Sequence, residues 1–300
     1  MSTVSVIIPT YQGAHKFPLL LEGLSIQTHR PDEIILVMDG STDNSAAIAA
    51  EWRQRLPVLQ IVTIPNAGRA GARNAGAKLA QGDLLIFLDD DLVIPAYLIE
   101  RHVAFHSVQS ESSALIGLAL VRLAGDTGPM HSYRCHLESK WESKQTGRHR
   151  LRKESFSFSA ANASVPSLLF QSMGGFDNRL TDAEDWEFGA RLMLRDTPVW
   201  LDTDLTVGHK DMLDLNGFIR RQIQHYRSKI ALDSLFPHYK AHFPYYFASL
   251  GKPSPWKARL RSMYPYTLLH PLVNKYVGYV PHRLLSYHIH SAVLKAVEKL

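Results

Sequence analysis

Three consecutive carboxylates, Asp89-Asp90-Asp91, follow an apolar run from Leu84 to Leu88 that reads as a buried strand. Like charges this close repel, and beside the low-dielectric end of a core strand at least one must be neutralised by protonation, a cation or hydrogen bonds. A divalent metal is the direct remedy. Mg²⁺ in particular is held by one or two carboxylates together with substrate phosphate oxygens, so the run points to a metal and a phosphorylated ligand bound together. Taken alone, three aspartates also fit a solvated acidic turn; the strand before them and the motifs around them favour the metal.

Other segments carry matching chemistry. Asp39-Gly40-Ser41-Thr42-Asp43 lies between a strand and a helix, where a carboxylate can accept from a base N–H or a ribose hydroxyl and the hydroxyls can cap the helix. The same pattern is common in plain turns. Asn66 to Asn74 offers glycines for close backbone approach and two arginines, Arg69 and Arg73, for phosphate or sugar oxygens. Its alanines fit the plainer task of tight helix packing. Asp182 to Glu187 opens a helix whose apolar face is Trp186, Ala190 and Met193. Acidic residues in a first turn are stabilised by the helix dipole, so most of this charge needs no functional account. An ionised Asp185 within reach of a hydroxyl nucleophile can nevertheless act as general base, whereas Glu187 sits four residues before Arg191 as a helix-face ion pair. His209, ending a strand, can complete a site of two oxygens and one imidazole.

These groups need a frame, and the first half of the chain supplies one. Strand signals at 4–8, 33–38, 58–64 and 84–88 alternate with helix signals at 16–27, after Asp43, and at 68–80, which predicts an α/β sheet with parallel pairs. In such sheets ligands bind beyond the carboxyl ends of the strands, where Pro9-Thr10-Tyr11, Asp39-Gly40-Ser41 and Asp89-Asp90-Asp91 all fall. Beyond Pro95 the pattern predicts a helix to about His106 and a strand over 114–123. Segment 125–154 is the least patterned, and its basic run from Arg148 to Lys153 reads as a mobile solvated loop. The segment after His209 reads as helical. Its last helix, from Arg283 to Lys299, places Leu285, Ile289, Ala292 and Ala296 along one face, as a docking or membrane-surface helix would.

With 300 residues, 45% of them hydrophobic, the chain can bury a substantial core. A single cysteine, Cys135, excludes an internal disulfide. Neither a signal-peptide pattern nor a run of about 18 apolar residues is present, so the expectation is a cytoplasmic protein that does not span the membrane. The net charge of +5 conceals an asymmetry: residues 1–211 carry 20 Lys/Arg and 25 Asp/Glu, residues 212–300 carry 13 and 3. The latter segment also holds 14 of the 29 aromatic residues, Tyr245, Tyr246, Phe247, Trp256, Tyr264 and Tyr266 among them. Basic and aromatic composition suits an anionic membrane surface. It also suits nucleic acid, or a basic helical appendage on an acidic catalytic domain.

Taken in order, these pieces resemble family 2 glycosyltransferases of the GT-A fold over about residues 3–230. Val4 to Tyr11 is similar to the opening strand, Asp39 to Asp43 to the nucleoside turn, and Ala72-Arg73-Asn74-Ala75-Gly76 to the helix before the metal motif. Phe87 to Asp91 fits D-x-D, while Gly174-Gly175-Phe176-Asp177 and Glu184-Asp185-Trp186 fit the acceptor-side signatures. The resemblance implies an α/β fold with a central, mostly parallel sheet flanked by helices and a helical C-terminal appendage. It implies a catalytic domain over 1–211, with a nucleotide half to about residue 95 and an acceptor half from about 96, followed by the basic segment 212–300. By the same resemblance Pro9, Thr10, Tyr11 and Asp39 hold the nucleoside, Arg73 and Asp90 help to place the donor, and Asp89 with Asp91 holds Mg²⁺ or Mn²⁺, with His209 assisting. Asp185 would then deprotonate an acceptor hydroxyl that attacks and inverts the anomeric carbon, and Glu184 would orient its surroundings.

The implied donor is a nucleotide sugar, a UDP-sugar ahead of GDP- or dTDP-sugars, and the implied acceptor a glycan or lipid-linked hydroxyl in cell-surface polysaccharide or glycolipid synthesis. Residues 212–300 would touch the inner face of the membrane peripherally, and nucleic acid is not an expected partner. Two departures stand out: Met38 occupies the place of a second polar residue before Asp39, and Gln224-His225-Tyr226-Arg227-Ser228 lacks the Trp of the processive Q-x-x-R-W signature. The latter favours single addition. The contrasting reading is a catalytically silent nucleotide-sugar or membrane-surface binding module, which would have no need of Asp185.

Overall fold

The computed structural model describes residues 2–125, 128, 130–142, 146–210, 213–248 and 266–297. Two compact units emerge, Met1–Gly125 with Lys144–Lys210, and Asp126–Ser143 with Asp211–Leu300.

In the first unit, apolar runs become strands and the small-residue or amphipathic segments between them become helices: β1 (Val4–Thr10), α1 (Phe17–Ser25), β2 (Glu33–Asp39), α2 (Ser45–Arg55), β3 (Leu59–Ile64), α3 (Gly68–Leu79), β4 (Leu84–Leu88), β5 (Leu92–Val93), α4 (Leu98–Ser107) and β6 (Ala114–Leu120). In the second unit α5 (His131–Glu142) follows; the chain then returns to the first unit with β7 (Arg148–Arg150), β8 (Asn162–Pro166), α6 (Ser167–Ser172), α7 (Glu184–Leu194) and β9 (Val199–His209).

The nine-stranded sheet runs β3-β2-β1-β4-β8-β6-β9-β5, with β7 also on β9. Strands β3, β2, β1 and β4 pair in parallel, as do β6 and β9; β8 runs antiparallel between β4 and β6. β1, β2 and β4 are buried along almost their whole length, which is why they read as unbroken apolar runs rather than alternating ones. One large cluster, with Ile8, Leu20, Leu36, Ile86, Leu98 and Phe105 among its members, forms the main core. On α3, Gly76 lies so near the sheet that a Cβ there would stand 2.6 Å from Ile7 Cγ2, so this helix packs flush against β1. A further cluster of rings, Phe87, Phe170, Phe176 and Phe188, with centroids 5.1–5.2 Å apart, backs β4 and α7.

The basic run differs from its expected form. Arg148–Arg150 is not a mobile loop but strand β7, antiparallel to β9, with Arg148 Nη2 2.7 Å from the buried Asp202 carboxylate. Three residues are too short for a strand period to show against a run of like charge. Helix α5, also unforeseen, is largely polar; Tyr133 is one of its few buried residues.

The second unit is helical. α8 (Leu215–Leu235) is capped by Asp214, whose carboxylate accepts from Gly217 N at 2.6 Å; α9 (Tyr239–His242), α10 (Pro244–Phe247), α11 (Tyr266–Lys275) and α12 (His282–Val297) follow. Its core joins Leu215, Phe218, Ile219, Val273, Val277, Leu285, Ile289 and Val293. Leu285, Ile289 and Ala292 therefore form a docking face within this unit, as their spacing suggests. Trp256 and Tyr264 lie outside the described residues. No described helix is long and apolar enough to cross a membrane.

One polar chain crosses the core. α4 buries Leu98, Ile99, His102 and Phe105 at helical spacing, which places an imidazole where an aliphatic side chain would be ordinary. His102 Nε2 lies 2.9 Å from Asn162 Oδ1 and Nδ1 lies 2.8 Å from Ser164 Oγ, which is also 2.8 Å from His106 Nε2. A consistent set of donors has each Nε2–H and the Ser164 hydroxyl donating, so both rings are neutral. Burial pushes His102 down to about 4 and His106 down to about 3. Between those values and the ordinary value of about 6.5, the unfolded chain binds more protons than the folded one, so stability is full above that window and falls as pH drops through it. Denaturant unfolding followed from about pH 7.5 to about pH 5 is expected to lose on the order of 4 kcal/mol, about 2 for each histidine. The loss is expected to shrink in His102→Gln; an unchanged pH slope in that variant would remove this chain as the cause.

Candidate active site

Register brings the site together. Ile7 pairs with Phe87, which sets Thr10, three residues on, level with Asp90. Thr10 Oγ1 donates to Asp90 Oδ2 at 2.6 Å, and Lys16 Nζ stands 4.0 Å from the other oxygen. Burial lifts Asp90 to about 7, against the pull of Lys16 and of the Thr10 hydrogen bond. The middle carboxylate of the run thus ties the end of β1 to the end of β4.

The β1–α1 loop is tied in turn to the turn after β2. Gln12, with φ of 49°, accepts through Oε1 from the N–H groups of Thr42 and Asp43, both at 3.0 Å, and its Nε2 donates to Thr42 Oγ1 at 2.9 Å. Asp43 accepts from Ser45 Oγ at 2.5 Å, which holds its carboxyl below the usual range. At the end of β2, the buried Asp39 accepts from Ala67 N at 2.6 Å, so the turn meets the loop that opens α3. Tyr11, 53% exposed, stands clear of this packing with its ring open to a ligand.

Asp89, Asp91 and His209 offer ligand atoms all within 4.8 Å of one another. Pairing of Leu92 with His209 places the imidazole beside Asp91, and Lys210 N donates to the Asp91 carbonyl at 2.8 Å. Asp91 Oδ1 lies 3.1 Å from His209 Nε2, yet this buried oxygen accepts no hydrogen bond among the described residues. Two carboxylates and one imidazole that converge in this way suit a shared divalent cation.

Behind this cluster lies Arg73. It is 2% exposed, donates through Nη2 to Asp89 Oδ1 at 2.7 Å and through Nη1 to Glu184 Oε1 at 2.5 Å. Burial works against Asp89's charge, but Arg73 and Arg69 outweigh it and hold the carboxyl below its ordinary value. Glu184, buried and next to Asp185, is pushed up to about 6 despite Arg73. Arg69 makes a parallel contact with Asp182 at 2.8 Å. Ala183, in the left-handed region at φ 64°, turns the chain into α7, whose first turn presents Asp185. There Asp185 Oδ2 accepts from Ala160 N at 3.0 Å and Oδ1 from Trp186 N at 2.7 Å, leaving it half-buried and oriented from both sides. Glu187 pairs with Arg191 at 2.6 Å, as its spacing implies.

The structure thus gathers Pro9, Thr10, Tyr11, Asp39, Asp89, Asp90, Asp91 and His209 at one end of the sheet, with Arg73 linking Asp89 to the helix that carries Asp185. Arg73 has both terminal nitrogens on carboxylates, so its visible task is to position them. Sequence reading missed two supports. Gln12 has no signal in its surroundings beyond its place after the first strand. Asn74, beside Arg73, donates to the Phe176 carbonyl at 2.8 Å and accepts from Phe176 N at 2.9 Å. It braces the Gly174-Gly175 turn, where Gly175 has φ of 71° and a Cβ would fall 2.7 Å from Asn74 Oδ1.

The profile of the family described as Glycosyl transferase family 2 matches residues 5–163. An undecaprenyl-phosphate 4-deoxy-4-formamido-L-arabinose transferase of Pseudomonas aeruginosa (strain LESB58) is 35% identical over 158 residues, 45% of this chain and 46% of that protein. The chain spans between about a quarter and a half of the length of the first curated relatives it matches. Among solved structures, S. aureus TarS 1-349 in complex with UDP aligns with a TM-score of 0.57 at 18% identity, over 99% of this chain and 91% of the other. A mannosyltransferase from Pyrobaculum calidifontis in complex with GDP-Man and Mn2+ aligns with a TM-score of 0.59 at 18% identity, over 100% and 88%. The α/β architecture expected from the GT-A resemblance is the one observed.

Removing a buried charge leaves its partners buried and unpaired, which typically costs about 3–5 kcal/mol. Arg73→Ala is expected to lose that much in denaturant unfolding, and Glu184→Gln in the same background to recover part of it. Strictly additive effects in this cycle would show that Arg73 does not link the two segments.

Proposed function

The chain belongs to glycosyl transferase family 2, and from that premise we propose that it moves a single sugar from a nucleotide-sugar donor to a hydroxyl of a glycan or lipid-linked acceptor, with inversion. One observation carries the reading: Asp89, Asp91 and His209 converge at the strand ends and are joined through the buried Arg73 to the helix turn that presents Asp185. A donor and an acceptor need such neighbouring but distinct carboxylates.

In this reading Pro9, Thr10, Tyr11 and Asp39 border the nucleoside, and Asp90 fixes the end of β1, where the first three lie. Asp89, Asp91 and His209 would hold Mg²⁺ or Mn²⁺, which supplies Lewis-acid assistance to a departing nucleoside diphosphate. Asp185, kept oriented by the N–H groups of Ala160 and Trp186, takes the proton of the acceptor hydroxyl. The hydroxyl oxygen bonds to the anomeric carbon from the face opposite the diphosphate, whose bond to that carbon breaks. Arg73 keeps Asp89 ionised and, through Glu184, holds the first turn of α7 beside it, so that neither drifts as the sites fill.

The UDP complex of the TarS structure and the GDP-Man and Mn2+ complex of the mannosyltransferase support a nucleotide-sugar donor and a divalent ion, with a UDP-sugar first. The undecaprenyl-phosphate relative supports a lipid-linked acceptor, and with it a place in cell-surface polysaccharide or glycolipid synthesis at the inner membrane face.

Asp185→Asn keeps the shape and removes the base. Transfer by the purified protein, measured with its best donor and an extract of polyprenyl-linked acceptors, is expected to fall by about 10²- to 10⁴-fold. Donor affinity is expected to stay within about threefold, since Asp185 takes no part in donor binding in this reading. Full turnover in the variant would overturn Asp185 as base; donor binding without turnover by the wild type would favour a silent binding module.

A further inference from the structure

α11 and the turn after it carry two sets of apolar residues. Val273 and Val277, one helical turn apart, are buried in the core of the second unit and account for the first. Leu272, near the end of α11, and Tyr276 and Tyr279, in the turn after it, lie outside that core: they are 58, 48 and 89% exposed. Leu284, at the start of α12, adds another large apolar side chain at 46%. Scattered exposed leucines are ordinary, but four large apolar groups within 13 residues, on a rigidly backed turn, are not.

Along this stretch of the sequence the charges are of one sign. Lys275 lies with Nζ 5.3 Å from the centroid of Tyr276, and Arg283 immediately precedes Leu284; both are exposed. Between Asp233 and Glu298 the sequence contains eight Lys/Arg and no carboxylate. Tyr rings with an apolar body and a polar tip, flanked in the sequence by cations, match the headgroup level of an anionic bilayer. A protein partner would ask for some charge of the opposite sign, and nucleic acid would make little use of Leu272 and Leu284.

We propose that Leu272, Tyr276, Tyr279 and Leu284, with Lys275 and Arg283, form a shallow insertion surface for anionic phospholipid. It deepens the lipid-linked-acceptor reading above and rests on it: an enzyme that captures a polyprenyl headgroup gains by residing on the membrane that holds it. The apolar groups enter the interface, the two cations meet phosphates, and binding is reversible and salt-sensitive, as befits a surface helix rather than an anchor.

The test is sedimentation with vesicles of phosphatidylcholine, with and without phosphatidylglycerol, in the absence of donor and acceptor. The full chain is expected to bind the anionic vesicles at least tenfold more tightly. Lys275→Gln/Arg283→Gln is expected to weaken that binding by about tenfold to 30-fold, and Leu272→Ser/Tyr276→Ser/Tyr279→Ser to abolish it, with the thermal transition and donor affinity of each variant unchanged. Equal binding to both vesicle types, or binding indifferent to these substitutions, would overturn the surface. So would a change in sedimentation coefficient of the free protein on substitution, which would mark a self-association face, or retention of duplex DNA in preference to vesicles. Transfer by the wild type is assayed separately in detergent: absence of wild-type vesicle binding with lipid-linked transfer intact rejects this surface alone, whereas wild-type vesicle binding without such transfer rejects the acceptor reading and leaves the surface standing.

Discussion

The site depends on a buried guanidinium held between two carboxylates. Arg73 is as deeply buried as the residues of the sheet, and a charge in that position persists only if it is paired. Its partners come from segments 16 and 111 residues away: Asp89 at the end of β4 and Glu184 in the first turn of α7. Remove the cation and the buried Glu184 and half-buried Asp89 are left unpaired, with Asp185 and Asp91 close by in sequence, a concentration of negative charge that could not stay ionised and in place. The favourable charge of Arg73 on Asp89 also keeps that carboxylate deprotonated, the form a cation requires.

Everything else in the site can be understood as holding the surroundings of that bridge. Parallel register levels Thr10 with Asp90, and the hydrogen bond between them joins β1 to β4 beyond the last paired residues. β8, running the other way between β4 and β6, brings Ala160 and Ala161 to the same edge, where Ala161 accepts from Asp89 N and Ala160 N meets Asp185. Short β5 folds back to seat His209 against Asp91. Flush packing of α3 at Gly76 and the Asn74 brace on the Gly174-Gly175 turn keep Arg73 at its depth. The polar loops carry the ligand-facing groups, and the sheet decides where they point.

Much of this was legible in the chain itself. Unbroken apolar runs marked β1, β2 and β4, and the carboxylates after β4 marked the place where Asp89, Asp91 and His209 converge, because both signals are local. The helix carrying Trp186, Ala190 and Met193 was readable from its period, and all three residues are buried. What stayed hidden depends on distant partners. Nothing near Gln12 says that its amide will hold the turn after β2, and nothing near Arg148 says that Asp202 will draw a basic run into a strand. His102 sits at a core position of an amphipathic helix, but only its meeting with Asn162 and Ser164 explains why an imidazole is tolerated there. Departures from the family pattern, such as Met38 before Asp39, were visible as residues, while their effect on base choice depends on a bound nucleotide.

The central claim is that Asp89, Asp91 and His209 bind a divalent ion together with a nucleotide sugar. Calorimetric titration of UDP-, GDP- and dTDP-sugars into the wild-type chain and into Asp91→Ala, with Mn²⁺ and with EDTA, tests it most directly. The account predicts that one donor binds the wild type only when the metal is present and that this binding is lost in Asp91→Ala. Donor binding of equal affinity in EDTA, or undiminished in the variant, would contradict it.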